Sequence, residues 1–140
     1  DGPLISRTRM QHAFDVAAHH DALGIRYIEH GNDWILMDLP FADHLVAYPD
    51  LGVVAGGALY ALLDSANGYA IFTHDGVSPR VATLDLRVDY LKPVPPRVTV
   101  TALGQVVKRT RTIVFTRALA YVDKPERPLA RATGTFVLDT

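Results

Sequence analysis

Two stretches of the chain carry hydrophobic residues at helical spacing, and most of the remainder alternates apolar with polar positions or runs in short β-rich blocks. Residues 7 to 22, RTRMQHAFDVAAHHDA, place Met10, Ala13, Phe14, Ala17 and Ala18 on one helical face, and Gly24 follows as a stop. An amphipathic helix is predicted there. IRYIEHG and DWILMDLPF are rich in β-branched and aromatic residues, and the GND between them has hairpin chemistry. These read as two strands. DHLVAYPDLGVVA has Pro and Gly breakers and little period, so it reads as a long loop. It leads into VVAGGALYALLDSANGYAI, a helix with apolar residues nearly all round that opens on Gly56-Gly57.

After that helix, RVATLDLRVDYLKP alternates Ala82, Leu84, Leu86, Val88 and Tyr90 against Val81, Thr83, Asp85, Arg87 and Asp89. The first set is the expected apolar strand face. RVTVTALGQVVKR, TIVFTRALAYVD and PLARATGTFVLD supply three further strands, joined by links short enough for antiparallel pairing. A helix that is apolar on most sides must be covered on most sides. One long antiparallel sheet curled around it does so, giving an α+β fold in which a central helix is wrapped by about six strands. No repeat or linker divides the chain, so residues 1–140 are expected to form one domain.

Composition narrows the function classes. The net charge is −1 and the basic residues are scattered, which favours neither a nucleic acid nor an anionic membrane as partner. The chain has no cysteine, which excludes disulfides, thiolate metal sites and a Cys nucleophile. The longest apolar run is broken by Asp64, Ser65 and Asn67, so a soluble, cytoplasmic protein is the expectation. Six histidines are present, but His19 and His20 diverge by about 100° on a helix and no HExxH spacing occurs, so no metal site is expected. GxSxG, GxGxxG and P-loop motifs are absent.

The residues that point to chemistry lie on the Gly-Gly helix. If it starts near Gly56, its first N–H groups have no intrahelical partner and the macrodipole makes them electropositive. Without Cβ atoms at Gly56 and Gly57, a ligand oxygen can approach closely, which makes an oxyanion site from backbone alone. The same dipeptide would equally allow the helix start to pack tightly on the sheet. Asp64 shares a stripe with Tyr60, Asn67 and Ile71. Burial there would raise its pKa toward a value useful to a base, whereas hydroxyl partners or solvent would make it an ordinary polar residue. Gly56 and Asp64 are separated by about 12 Å at ~1.5 Å per residue. An oxyanion donor and a base must each come within roughly 3 Å of the reacting group. Both can serve one reaction only if two chains share each site, as in a two-fold dimer with facing helices.

GGALYALLDSANGYAI, ATLDLRVDYLKP and VVKRTRTIVFTRALAYV together resemble the hotdog-fold acyl-CoA thioesterases of the phenylacetic-acid-degradation type, from about residue 35 to the C-terminus. The resemblance implies a homodimer or homotetramer that hydrolyses a small aromatic or medium-chain acyl-CoA without a cofactor. Gly56 would polarise the thioester carbonyl. Asp64 of the facing chain would act as nucleophile or general base, and Thr83 would orient the attacking water. Gly57, Tyr60 and Asn67 would line the substrate site, while Lys92, Arg109 and Arg111 could reach the coenzyme A phosphates or form a solvated basic turn.

This chain departs from the family pattern at two places. Ala55 stands where a histidine usual in the family helps arrange the carbonyl pocket, and Pro49 or Asp50 aligns with an upstream Asn. A non-catalytic acyl-CoA binding module is therefore an alternative. A hotdog dehydratase using His44 and Asp64 is another, although the loop lacks the His-Phe-Pro…Pro-Gly run of those enzymes. The acyl group is not specified; Trp34, Tyr60, Tyr69 and Phe72 are candidates to line its pocket or to fill the core.

Overall fold

The computed structural model of the chain describes residues 2–17, 23–42, 46–48, 53–54, 56–77 and 80–138. His19, His20, His44, Pro49, Asp50 and Ala55 lie outside these residues. The elements in order are α1 (Arg7–Asp15), β1 (Arg26–Gly31), β2 (Trp34–Leu39), β3 (Val46–Tyr48), β4 (Val53–Val54), α2 (Gly56–Ala70), β5 (Val81–Tyr90), β6 (Val100–Arg109), β7 (Ile113–Tyr121) and β8 (Ala130–Leu138). The first helix is shorter than its periodicity suggests. It is capped at its start by Ser6, whose side chain accepts from the Arg9 N–H, and at its end by Val16. The segment expected to be a long loop contains a short antiparallel pairing, Val46 with Val54 and Tyr48 with Val53. Its β-branched and aromatic residues win over the breakers between them.

The remaining six strands form one antiparallel sheet in the order β1-β2-β6-β7-β8-β5. Helix α2 lies on its inner face and buries Leu59, Leu62, Leu63, Ala66 and Ala70 at 3% exposure or less. Each fully buried leucine contributes about 1.5–3 kcal/mol through the apolar area it removes from water. Small residues let the helix come down onto the sheet: Ala102, Ala118, Ala120, Ala130 and Ala132 are all buried beneath it. A Cβ on Gly104 would overlap the carbonyl oxygen of Ala66.

Three strands of the six-stranded sheet carry β-bulges, and each bulge changes which residues face the helix. In β5 the register shifts between Thr83 and Asp85. Residues directly opposite one another in an antiparallel pair share a face. Thr83 is opposite Phe136, Leu86 opposite Gly134 and Val88 opposite Ala132, and all three partners are buried. Thr83 therefore faces inward together with Leu86 and Val88, where simple alternation put them on opposite faces. The extra residue, Leu84, is 60% exposed. In β6 the shift between Val106 and Lys108 turns Arg109 inward opposite buried Val114. In β1 the shift between Tyr27 and Glu29 puts Tyr27 and His30 on one face, where the Tyr27 hydroxyl and His30 Nδ1 are 2.7 Å apart.

The N-terminal segment is strapped across the far end of α2. The Ile5 N–H donates to the Thr73 carbonyl at 2.8 Å, the Asp75 N–H to the Pro3 carbonyl at 2.7 Å, and His74 Nδ1 to the Gly2 carbonyl at 3.1 Å. His30 Nε2 donates to the Ile5 carbonyl at 2.8 Å, so its Nδ1 accepts from Tyr27. Arg9 completes the strap with an ion pair to Asp75 at 2.7 Å. No helix among the described residues is long and apolar enough to cross a membrane.

Candidate active site

The start of α2 is open. Gly56 and Gly57 are exposed, and a Cβ on either would meet nothing within 4 Å. Tight packing on the sheet is therefore not what these glycines serve within the chain. The Tyr90 hydroxyl donates to the Gly56 carbonyl at 3.3 Å, holding the helix start to the end of β5. Gly56, Leu59, Tyr90 and Lys92 line a surface groove of about 340 Å³. An ammonium beside a helix N-terminus makes this groove electropositive.

Asp64 stands two turns further along and opens on a different space. It is half-buried and lines a cavity of about 550 Å³ enclosed by α1, the second half of α2, the turn at His74–Val77 and the start of β5. Thr83 lines the same cavity, brought there by the β5 bulge, and Ser65 adds a second hydroxyl. The other walls are apolar at Met10, Tyr69, Phe72, Val77, Val81 and Phe136 and polar at Arg9 and His74. Burial pushes the Tyr69 phenol above its ordinary pKa, so it presents a neutral ring. A carboxylate and a hydroxyl at the edge of an apolar cavity of this size suit activation of a water beside an uncharged group.

The structure separates the other expected site residues. Tyr60 is 43% exposed and lines neither space, and Trp34 stands on β2 outside the cavity. Asn67 is fully buried: its Nδ2 donates to the Leu63 carbonyl at 2.9 Å and its Oδ1 accepts from the Thr116 hydroxyl at 2.6 Å. It joins helix to sheet rather than facing a ligand. Arg109 is also engaged, with Nη2 donating to both Asp33 Oδ1 and the Ile71 carbonyl at 2.8 Å. This clamps the C-terminal end of α2. Arg111 remains exposed in the adjacent turn, at the opposite end of the helix from Lys92.

The cavity also has walls that no sequence motif marks as functional, Met10 and Ala13 of α1 and Gly68 of α2. Gly68 had a readable signal, because glycine inside a helix costs about 1 kcal/mol relative to alanine and calls for a reason.

The thioesterase superfamily model matches residues 51–128, more than half of the chain, and takes in α2 with both Gly56 and Asp64 as well as Thr83. The chain belongs to the thioesterase superfamily. Solved structures agree with this membership. A protein from Pseudomonas aeruginosa is 29% identical, with a TM-score of 0.84 over 94% of this chain and 98% of that one. A variant of the phenylacetic acid degradation protein PaaI from Thermus thermophilus is 28% identical, with a TM-score of 0.73 over 87% and 99%. A thioesterase family protein from Silicibacter pomeroyi is 26% identical, with a TM-score of 0.80 over 93% and 95%. No curated protein matches the chain significantly. The thioesterase-superfamily sheet and helix account for β5 to β7 and α2, whereas α1 and its strap lie before the matched residues.

Proposed function

We propose that this superfamily member is an acyl-CoA thioesterase that hydrolyses a small aromatic or medium-chain acyl thioester, with each site shared by two copies of the chain. One observation carries the reading: Asp64 and Thr83 open on one largely apolar cavity, while Gly56 opens on a separate electropositive groove. Eight helical residues keep them about 12 Å apart, so a second copy must bring its helix start to the Asp64 of the first. The thioester carbonyl then accepts from the Gly56 N–H of one copy. Asp64 of the other removes a proton from a water oriented by Thr83, and the water oxygen bonds to the carbonyl carbon. Collapse of the tetrahedral intermediate breaks the C–S bond, and the coenzyme A thiolate takes up a proton. Lys92, beside Gly56, is the cation best placed to meet the coenzyme A phosphates. A homodimer or homotetramer and a cytoplasmic location accord with this reading.

The test is thiol release from a panel of acyl-CoA and aryl-CoA thioesters by wild type and Asp64→Asn, with oligomeric state followed by light scattering. The variant keeps the shape of the side chain and removes its charge, so kcat should fall at least ~10²-fold with KM little changed. A fully active monomer, or an assembled Asn variant with normal turnover, removes the shared-site mechanism. A wild type that binds acyl-CoA and releases no thiol assigns the chain to the non-catalytic binding class that Ala55 suggests.

A further inference from the structure

Gly68 is a helix-interior glycine with no packing reason to be glycine. A Cβ there would meet nothing within 4 Å, in contrast to Gly104, whose bare Cα is demanded by the Ala66 carbonyl. Alanine at position 68 would strengthen the helix, so the absent side chain points to space needed by something outside the chain. The cavity shows where that space lies. Gly68 lines it one turn after Asp64 and one turn before Phe72, and α1 closes it from the other side with Met10 and Ala13. The wall thus runs from a carboxylate and hydroxyl at Asp64 and Thr83 over the bare Gly68, about 6 Å further along α2 at ~1.5 Å per residue, to Phe72 in the turn just beyond the helix. Its α1 side is fixed by the Arg9–Asp75 ion pair and the backbone strap at Ile5 and Thr73.

We propose that Gly68 is a specificity-determining residue: an uncharged, apolar acyl group lies in the trough over it, between α2 and α1, with its thioester end at Asp64. This inference rests on the thioesterase reading for its reaction but on the cavity alone for its ligand. The cavity volume of about 550 Å³ falls within the ~300–1,000 Å³ typical of small-molecule sites. Arg9 and His74 also line it, but the walls next to Gly68, at Met10, Ala13, Tyr69 and Phe72, are apolar and disfavour a charged group over the trough. The outer wall is supplied by α1, which precedes the residues matched by the family model.

The test compares wild type, Gly68→Ala and Gly68→Leu with acetyl-, hexanoyl-, decanoyl- and phenylacetyl-CoA as substrates. In parallel, binding of S-ethyl- and S-decyl-CoA thioethers, which cannot be hydrolysed, is measured by calorimetry. Gly68→Ala should raise Tm. Gly68→Leu should lower kcat/KM for decanoyl-CoA at least ~10-fold relative to acetyl-CoA, since methylene-sized changes in an apolar pocket alter selectivity on that scale. Ala13→Phe, which enters the same cavity from α1 without altering α2, should shift selectivity in the same direction and covers the case of a misfolded Leu variant. If the wild type hydrolyses these thioesters and both variants act on all chain lengths in the wild-type ratios, the acyl group lies elsewhere and the proposal fails while the thioesterase reading stands. If the wild type hydrolyses none, that reading fails and the thioethers decide. Loss of the S-decyl preference over S-ethyl in the two variants upholds the trough, and an unchanged preference overturns it.

Discussion

One nitrogen of Arg109 ties the β1–β2 turn to the end of the central helix, donating to Asp33 Oδ1 and to the Ile71 carbonyl, each at 2.8 Å. Arg109→Ala should therefore act on stability, by about 1–3 kcal/mol, through a lost charged hydrogen bond and an uncapped helix end. Lysine should recover only part of this, because its single ammonium does not reproduce the fork. Arg111→Ala, in the exposed turn, should stay within ~0.5 kcal/mol of wild type. Urea unfolding of the three variants separates these outcomes; a loss of coenzyme A affinity in Arg109→Ala at unchanged stability would return it to the ligand site.

Gly104 should tolerate no side chain. Gly104→Ala drives a methyl group into the Ala66 carbonyl and must push α2 off the sheet, at about 1–3 kcal/mol. Thermal unfolding should show a clearly lower Tm. An unchanged Tm would mean that the helix shifts freely over β6.

The pair formed by Asn67 and Thr116 should behave as a buried polar unit. Thr116→Val removes the hydroxyl that donates to Asn67 Oδ1 and leaves that oxygen without this donor in a fully buried place, a loss of roughly 1–3 kcal/mol. Substituting both together, as in Asn67→Leu with Thr116→Val, should be milder than the sum of the single effects. A double-mutant cycle in urea measures the difference, and strict additivity would show the two to be independent.

Acid should loosen the strap on α1. The Arg9 guanidinium hydrogen-bonded to Asp75 holds its carboxyl below the ordinary carboxylate pKa. A depressed folded-state pKa adds stability that is present above the unfolded-state pKa and is lost as pH falls through the folded-state value. The Tm gap between wild type and Asp75→Asn should thus be widest above about pH 5 and close at lower pH. Both groups of the pair are largely exposed, so the gap should be small and shrink in salt. A gap that persists in strong acid would place the effect of the substitution elsewhere.

The sequence made the helices and sheet legible wherever a period ran unbroken. Leu59, Leu62, Leu63, Ala66 and Ala70 are buried as their spacing requires, and the last three strands form where they were read, β7 and β8 alternating buried with more exposed positions along most of their length. Alternation failed at the bulges, because one extra residue reverses every later face and leaves no mark in composition. For that reason Thr83 read as pointing away from the face that carries Leu86 and Val88, and Arg109 as a free basic residue. Asn67 misled differently. Its place on the Asp64 stripe is real, but a buried Thr116 on a strand distant in sequence decides its role. The separation of Gly56 and Asp64 along α2, which opens them on different spaces, was legible from spacing alone. The cavity was not, because its walls come from α1, α2, β5 and β8 and only folding assembles them.

The strand order also sets a timetable. Within β6-β7-β8, the closest paired residues are Arg109 with Val114 and Ala120 with Ala130, so this meander closes through short loops. Joining β2 to β6 brings together Leu39 and Val100, and joining β5 to β8 brings together Tyr90 and Ala130, each across a much longer stretch of chain. Loop-closure entropy makes such distant contacts form after local ones. Substitutions in the meander, such as Ala118→Gly, are expected to slow refolding. Those in β5, such as Val88→Ala, should mainly hasten unfolding. The strand that carries Thr83 would then be among the last to dock and the first to leave, and stopped-flow chevrons on the two variants would show it.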